Sequence, residues 1–222
     1  MKKIYTSLFF TGSLLAAQSQ IIISEVDPNG SSSATTYKQD WFELKNLGSS
    51  TVSLVGWKMD DSSDSFSTAV ALTGVTSIAA GQSVVFVEDT GSSSDTTLNA
   101  TFETAWFGSS VPTGFTIGNY GGSGVGLSSS SDAVNIFDSS GNAVTGVTFG
   151  STTVGHTLDN AAGLSGAISQ LSAVGVNNAF LSFNGVETGS PGDITPAPEP
   201  TTLALAGLGL AAVFGFRRNR KA

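Results

Sequence analysis

The chain of 222 residues has no cysteine, a single histidine and few basic groups away from its two ends. Without cysteine no disulfide can form, so any folded region must be held by packing and hydrogen bonding. One histidine and no thiol cannot supply the usual ligand set of a zinc site. Six of the nine basic residues are terminal: Lys2, Lys3, Arg217, Arg218, Arg220 and Lys221. Between residues 20 and 195, three lysines (Lys38, Lys45 and Lys58) stand against 16 Asp and Glu, a net charge of −13 where the whole chain carries −8. A body with that balance cannot neutralise a phosphate backbone and is repelled by anionic lipid, which argues against nucleic-acid binding and against adsorption to acidic membranes. Cationic partners, Ca²⁺ among them, stay compatible with it.

Long apolar runs are missing from the middle of the chain and present at its ends. Lys2 and Lys3 precede an apolar stretch over residues 4–17, followed by Ala17-Gln18-Ser19. A charged start, a short apolar stretch and a small-residue site describe a secretory signal peptide over residues 1–19, cleaved after Ala17 or Ser19. At the other end a Pro-rich linker, residues 193–200, contains Pro198, Glu199 and Pro200 and leads into an apolar run over residues 201–216. As a helix that run would be roughly 24 Å long at 1.5 Å per residue, a little short of a bilayer's ~30 Å core. It has no polar face, so a single transmembrane helix is expected rather than an amphipathic helix docked on a core. The basic tail, residues 217–222, should stay on the cytoplasmic side and leave the preceding body outside.

The Pro-Glu-Pro motif, the apolar span and the basic end at Arg217, Arg218, Arg220 and Lys221 together resemble the PEP-CTERM sorting signal of Gram-negative bacteria. That resemblance implies recognition by an exosortase-type membrane protease, removal of the tail near Pro198-Glu199-Pro200, and delivery of the body to the cell surface or beyond. A glycolipid-anchor tail would lack the basic end.

The body, residues 20–192, reads as all-β. Short apolar runs are bounded by Gly, Ser, Asn and Asp, and no segment keeps a helical period over three turns. Strands are expected over residues 21–26, 40–46, 52–54, 57–59, 83–87, 133–137 and 143–149, with Gly-Ser loops at 91–94 and 121–131. Asp27-Pro28-Asn29-Gly30 is a strong turn signal after the first strand. Regular strands joined by turn chemistry point to a β-sandwich.

Three segments resemble the opening of a lamin tail domain. They are Ile23-Ser24-Glu25-Val26, then Asp40-Trp41-Phe42-Glu43-Leu44-Lys45-Asn46, then Ser53-Leu54-Val55-Gly56-Trp57. Glu25, Trp41, Glu43, Asn46, Gly56 and Trp57 are the residues that carry the likeness. Residues 78–86 are similar to the family's next turn and strand, with Ala80 where proline is usual, and residues 126–149 to its later hairpin. The resemblance covers about residues 21–150 and implies an immunoglobulin-like β-sandwich. Residues 90–120 stay unassigned, and residues 151–193 are expected to close the sandwich.

Candidate chemistry is sparse. His156, with Asp159 nearby in sequence, is where a hydrolase would have to be built, but no G-x-S-x-G elbow accompanies it. Asp60, Asp61 and Asp64 form the densest acidic cluster and offer hard oxygen ligands to Ca²⁺, although without EF-hand spacing. Glu25 and Glu43 are expected on opposite halves of the motif, with no acceptor pocket between them and structural roles. Glu43 and Asn46 are expected to organise the loop after their strand. Trp41, Trp57 and Trp106 read as packing residues. The expectation is therefore an exported, non-enzymatic surface or extracellular-matrix protein with a structural or adhesive domain and possible association with exopolysaccharide. A Ca²⁺-dependent adhesin and an accessory module of a secreted hydrolase are the alternatives.

Overall fold

A computed structural model describes residues 21–32, 34–91 and 94–193. The expected signal peptide, Pro198-Glu199-Pro200, the apolar run with its expected transmembrane helix, and the basic tail lie outside the described residues. Among the described residues no helix is long and apolar enough to cross a membrane.

The strands are short and follow the turn chemistry of the sequence. In order they are β1 (Ile21–Asp27), β2 (Trp41–Asn46), β3 (Val52–Ser53), β4 (Lys58–Asp60), β5 (Val70–Thr73), β6 (Ser77–Ile78) and β7 (Ser83–Asp89). One helix follows, α1 (Thr96–Phe107), and then β8 (Ile117–Gly121), β9 (Asp132–Phe137) and β10 (Ala143–Phe149). The described residues end in four very short strands, β11 (Leu158–Asp159), β12 (Gly166–Ile168), β13 (Phe180–Leu181) and β14 (Thr188–Gly189), and a 3₁₀ turn at Pro191–Asp193. The turn before β7 contains Gly81 at φ 74°, with Gln82 N donating to Ala79 O at 3.1 Å. A positive φ at that position is the type II geometry, and Ala80 takes the place where proline would be favoured.

Ten strands form one sheet in the order β11-β1-β2-β7-β8-β5-β4-β9-β10-β12. Its pairings are antiparallel except β7 with β8 and β10 with β12. Because β5 pairs with both β4 and β8, the two halves of the fold are one continuous sheet bent over itself, a near-barrel. Residues 151–193 add short strands at both margins, β11 beside β1 and β12 beside β10. Very short margin strands offer little template for pairing with another chain.

The bend encloses an inner core. Ile23, Val26, Phe42, Leu44, Phe86, Tyr120, Ile136 and Val147 meet there, with Phe42 and Phe86 stacked at 5.6 Å between centroids. A second core lies on the outer face of β1, β2 and β7, where Trp41, Val85 and Val87 pack under Phe102, Ala105, Trp106 and Phe107 of α1. Trp41 meets Phe102 and Trp106 edge-on at 5.6 and 5.8 Å. Edge-to-face contacts of this kind add to the stabilisation from burial alone.

The helix falls within residues 90–120, which the sequence left unassigned, and it corrects the expectation that no segment of the body keeps a helical period over three turns. Leu98, Phe102, Ala105 and Trp106 do follow helical spacing, but over only three turns rich in threonine, a residue of modest helix propensity. Asp95 caps it, its Oδ1 accepting from Thr97 N at 2.9 Å and Leu98 N at 3.0 Å. Buried Asn119 on β8 ties this start to the sheet, exchanging hydrogen bonds with Asn99 at 2.9 and 3.1 Å and accepting from Asp95 N. Truncating Phe102, which is fully buried between Tyr37, Trp41 and Phe115, opens a cavity in this second core. The Phe102→Ala variant is expected to lose about 3–5 kcal/mol. A lowered urea midpoint with unchanged slope would register that loss.

Candidate functional site

A collection of buried polar groups sits where residues 187–193 cross β1 and β2. It originates in a local irregularity. β1 and β2 pair Ile21 with Asn46, Ile22 with Lys45 and Ile23 with Leu44, but the next partners are Glu25 and Glu43. Ser24 is therefore an extra residue, a β-bulge. Inserting one residue reverses which side chains face inward. Ile21, Ile23 and Val26 all reach the inner core, while Glu25 joins Glu43 on the outer face, the side that carries Trp41. Asn160 closes the bulge, donating from Nδ2 to Ile23 O at 2.7 Å and from its backbone to Ser24 O at 2.8 Å.

The two glutamates are directly opposed and only 1% exposed. This corrects their expected separation on opposite halves of the motif. Glu25 Oε1 accepts from Ser190 N at 2.8 Å and from Thr157 Oγ1, and its Oε2 accepts from Ser190 Oγ at 3.1 Å. Glu43 accepts from Ser24 Oγ at 2.6 Å and from Gly192 N. A short way along lie two more buried acids, Asp27 and Glu187. Tyr37 donates to Glu187 at 2.6 Å and Trp41 Nε1 donates to Tyr37 at 3.2 Å.

Burial pushes Glu25 up to about 8, and the neighbouring Glu43 adds to the shift. Burial likewise pushes Glu43 up to about 7, against the pull of its hydrogen bonds from Ser24 and Gly192. Asp27 is held well above the usual carboxylate range by burial and by Glu187, and Glu187 itself is raised by burial. Opposed like charges in a poorly hydrated seam cannot both ionise cheaply, so these groups retain protons that an unfolded chain would release.

The remaining candidates serve structure. Asn46 donates to Ser50 O and Ile78 O at 2.8 and 3.1 Å and accepts from Gly48 N at 2.9 Å, which shapes the turn after β2. Gly56 has φ 78°, and Trp57 packs into the inner core. Asp60 is fully buried, and its carboxylate is occupied by Ser63 Oγ at 2.5 Å, Ser65 N at 2.7 Å and Thr68 Oγ1 at 3.1 Å. Asp61 accepts from Ser63 N at 2.9 Å, while Asp64 lies exposed at φ 47°. Among the described residues no three His, Asp or Glu side chains are grouped so as to hold a metal ion. His156 Nδ1 meets Ser172 O at 3.0 Å. Asp159 is engaged separately, accepting from Ala161 N at 2.8 Å and Asn177 Nδ2 at 2.7 Å.

Two surface grooves lie apart from the carboxyl seam. One of about 700 Å³ is lined by Ser62, Asp64, Asp132, Asn135 and Phe149 among others. The other, of about 500 Å³, is lined by Val70, Thr90 and Gly121 with their neighbours. In the first, Asp132 is already occupied by Ser62 N at 3.1 Å and Ser128 N at 2.7 Å.

The seam makes stability depend on pH with a definite sign. Its carboxyl pKa values are raised on folding, so the native state binds more protons than the unfolded state. The stabilisation is complete below the ordinary carboxylate range and is lost as pH rises through about 7 to 8. Thermal unfolding should therefore show a lower midpoint at about pH 9 than at about pH 5. Replacing Glu25 by Gln should flatten the difference.

A family model for the lamin tail domain matches residues 15–151, and one for the PEP-CTERM protein-sorting motif matches residues 196–221. No curated protein matches the chain. The first match contains Glu25, Trp41, Glu43, Asn46, Gly56 and Trp57 and ends just after β10, so the groups that cover the two glutamates (Thr157, Ser190 and Gly192) lie beyond it. The second match contains Pro198, Glu199 and Pro200 and most of the basic tail, and it implies export and sorting by an exosortase. Both matches are to non-catalytic kinds of sequence. With more than half of its length matched and a mostly β fold to go with it, the chain belongs to the lamin tail domain family and ends in a PEP-CTERM sorting motif.

Proposed function

We propose that the protein is an exported, non-enzymatic component of the cell surface or extracellular matrix, whose β-domain has a structural or adhesive role. The signal peptide directs export, the apolar run over residues 201–216 anchors the chain transiently in the inner membrane, and an exosortase-type protease removes the tail near Pro198-Glu199-Pro200. The observation that carries this reading is the pairing of a sorting motif at residues 196–221 with a lamin tail body whose candidate carboxylates are hydrogen-bonded within the fold. Glu25, Glu43, Asp60 and Asp159 each accept hydrogen bonds from their own fold, so among the described residues these carboxylates are not arranged with a base and a nucleophile. A surface low in cations suits association with neutral exopolysaccharide better than with nucleic acid.

The saturation of Asp60 by Ser63, Ser65 and Thr68 weighs against the Ca²⁺-dependent adhesin. The separate engagement of His156 and Asp159 weighs against a hydrolytic role.

Mass spectrometry of the protein from producing cells tests the sorting reading. The mature form should lack both the first residues up to about Ser19 and everything beyond the Pro-Glu-Pro motif. Mature protein that still carries Arg217 to Lys221 would overturn it.

A further inference from the structure

Residues 190–193 are the last of the described fold, and they are fastened to the sheet in an unusual manner. Ser190 N and Ser190 Oγ both donate to Glu25, and Gly192 N donates to Glu43. Asp193 pairs with Lys45, the next outward-facing residue of β2, and accepts from Asn178 Nδ2 at 2.9 Å. Of these four residues only Pro191 is apolar, so hydrophobic burial contributes little to their docking. The segment approaches closely because glycine precedes it. A Cβ on Gly189 would stand 2.7 Å from Glu25 Oε1 and 2.9 Å from the Trp106 ring.

We infer that residues 190–193 are a proton-operated latch: with Glu25 and Glu43 sharing at least one proton the segment is held on β1 and β2, and loss of that last proton releases it. The geometry supplies the switch. The two carboxyls are direct cross-strand partners, and each bonds a different amide of the same segment. A single negative charge is tolerated, because Ser24 Oγ, Thr157 Oγ1 and two backbone amides donate to the pair. A second charge opposes the first across one strand spacing in a seam closed to water. Opening the segment admits water to both carboxylates, and that hydration drives the release.

The surrounding charges favour the same direction. On β1, Asp27 lies one residue beyond Val26, and Glu187 and Asp193 come from the final segment. Asp159 of β11 is in register with Glu25, and Tyr37 and Asp40 lie on the connection into β2. The buried residues of α1 (Asn99, Phe102, Ala105, Trp106 and Phe107) include no titratable group. Val85 and Val87 of β7 are apolar, and Asp89 lies at its far end. His156 faces Ser172 O, and Lys38 is exposed. Lys45 is the cation at the seam, and Asp193 engages it.

The latch sits five residues ahead of Pro198, so its opening would add residues 190–193 to the stretch between the sheet and the sorting motif; that consequence rests on the sorting reading, whereas the latch itself does not. Hydrogen exchange on the full-length chain, corrected for intrinsic rates, tests it between about pH 5 and about pH 9. Protection of the Ser190 and Gly192 amides should fall roughly tenfold more than that of amides in the centre of β2 and β7. In the double variant Glu25→Gln, Glu43→Gln the same amides should keep their protection across the range. The latch is overturned if the wild-type amides lose no more protection than the sheet does, or if the double variant keeps the wild-type pH response. Should the variant fail to fold, the wild-type profile decides the matter by itself.

Discussion

Two glutamates facing each other across neighbouring strands, away from water and with nearby Lys45 already engaged by Asp193, impose a demand that much of the fold answers. Carboxyl groups in such a place must be hydrogen-bonded and must share protons, or the strands part. The chain meets the demand from a long way off in sequence. Thr157 and Ser190 serve Glu25, and Ser24 and Gly192 serve Glu43. Residues beyond the family match are thus recruited to cover a pair that lies inside it. The last segment of the body is held where it is largely by that need.

The same outer face is covered by two unlike materials. Over Trp41, Val85 and Val87 lies α1, an aromatic lid built from Phe102, Trp106 and Phe107 and anchored through Asn119. Over Glu25 and Glu43 lies a stretch of serine, proline and glycine whose backbone amides do the work. Apolar packing changes little with pH, whereas the hydrogen-bonded cover answers directly to protonation. A single domain therefore has one margin set by burial and another set by proton uptake, and the second margin adjoins the sorting motif.

Much of the strand pattern was legible because turn chemistry is local. Asp27-Pro28-Asn29-Gly30 ends β1, and residues 40–46, 83–87, 133–137 and 143–149 coincide with β2, β7, β9 and β10 to within a residue or two. β5, β6 and β8 are missing from that reading, since short mixed stretches such as Ile-Gly-Asn-Tyr-Gly become strands only through their neighbours. α1 was hidden for a related reason. Its apolar positions span just three turns, and its four threonines favour other conformations in isolation. Packing on Trp41 is what makes it a helix.

The carboxyl seam was illegible for a sharper reason. Side-chain direction in a strand has a period of two, so one extra residue at Ser24 moves Glu25 to the face opposite the one that simple alternation from Ile23 would assign. Nor does local sequence announce that Ser190 and Gly192 will stand over residues 25 and 43. The sequence by itself determined the mostly β character of the body, its acidity, its freedom from disulfides, its membership of the lamin tail family and the sorting motif behind it, because composition, turns and short motifs are local properties. Only the tertiary structure decided that two of the family's glutamates share a buried seam and that residues 190–193 close it. Register and long-range contact create that proximity, and neither is written in any single stretch of the chain.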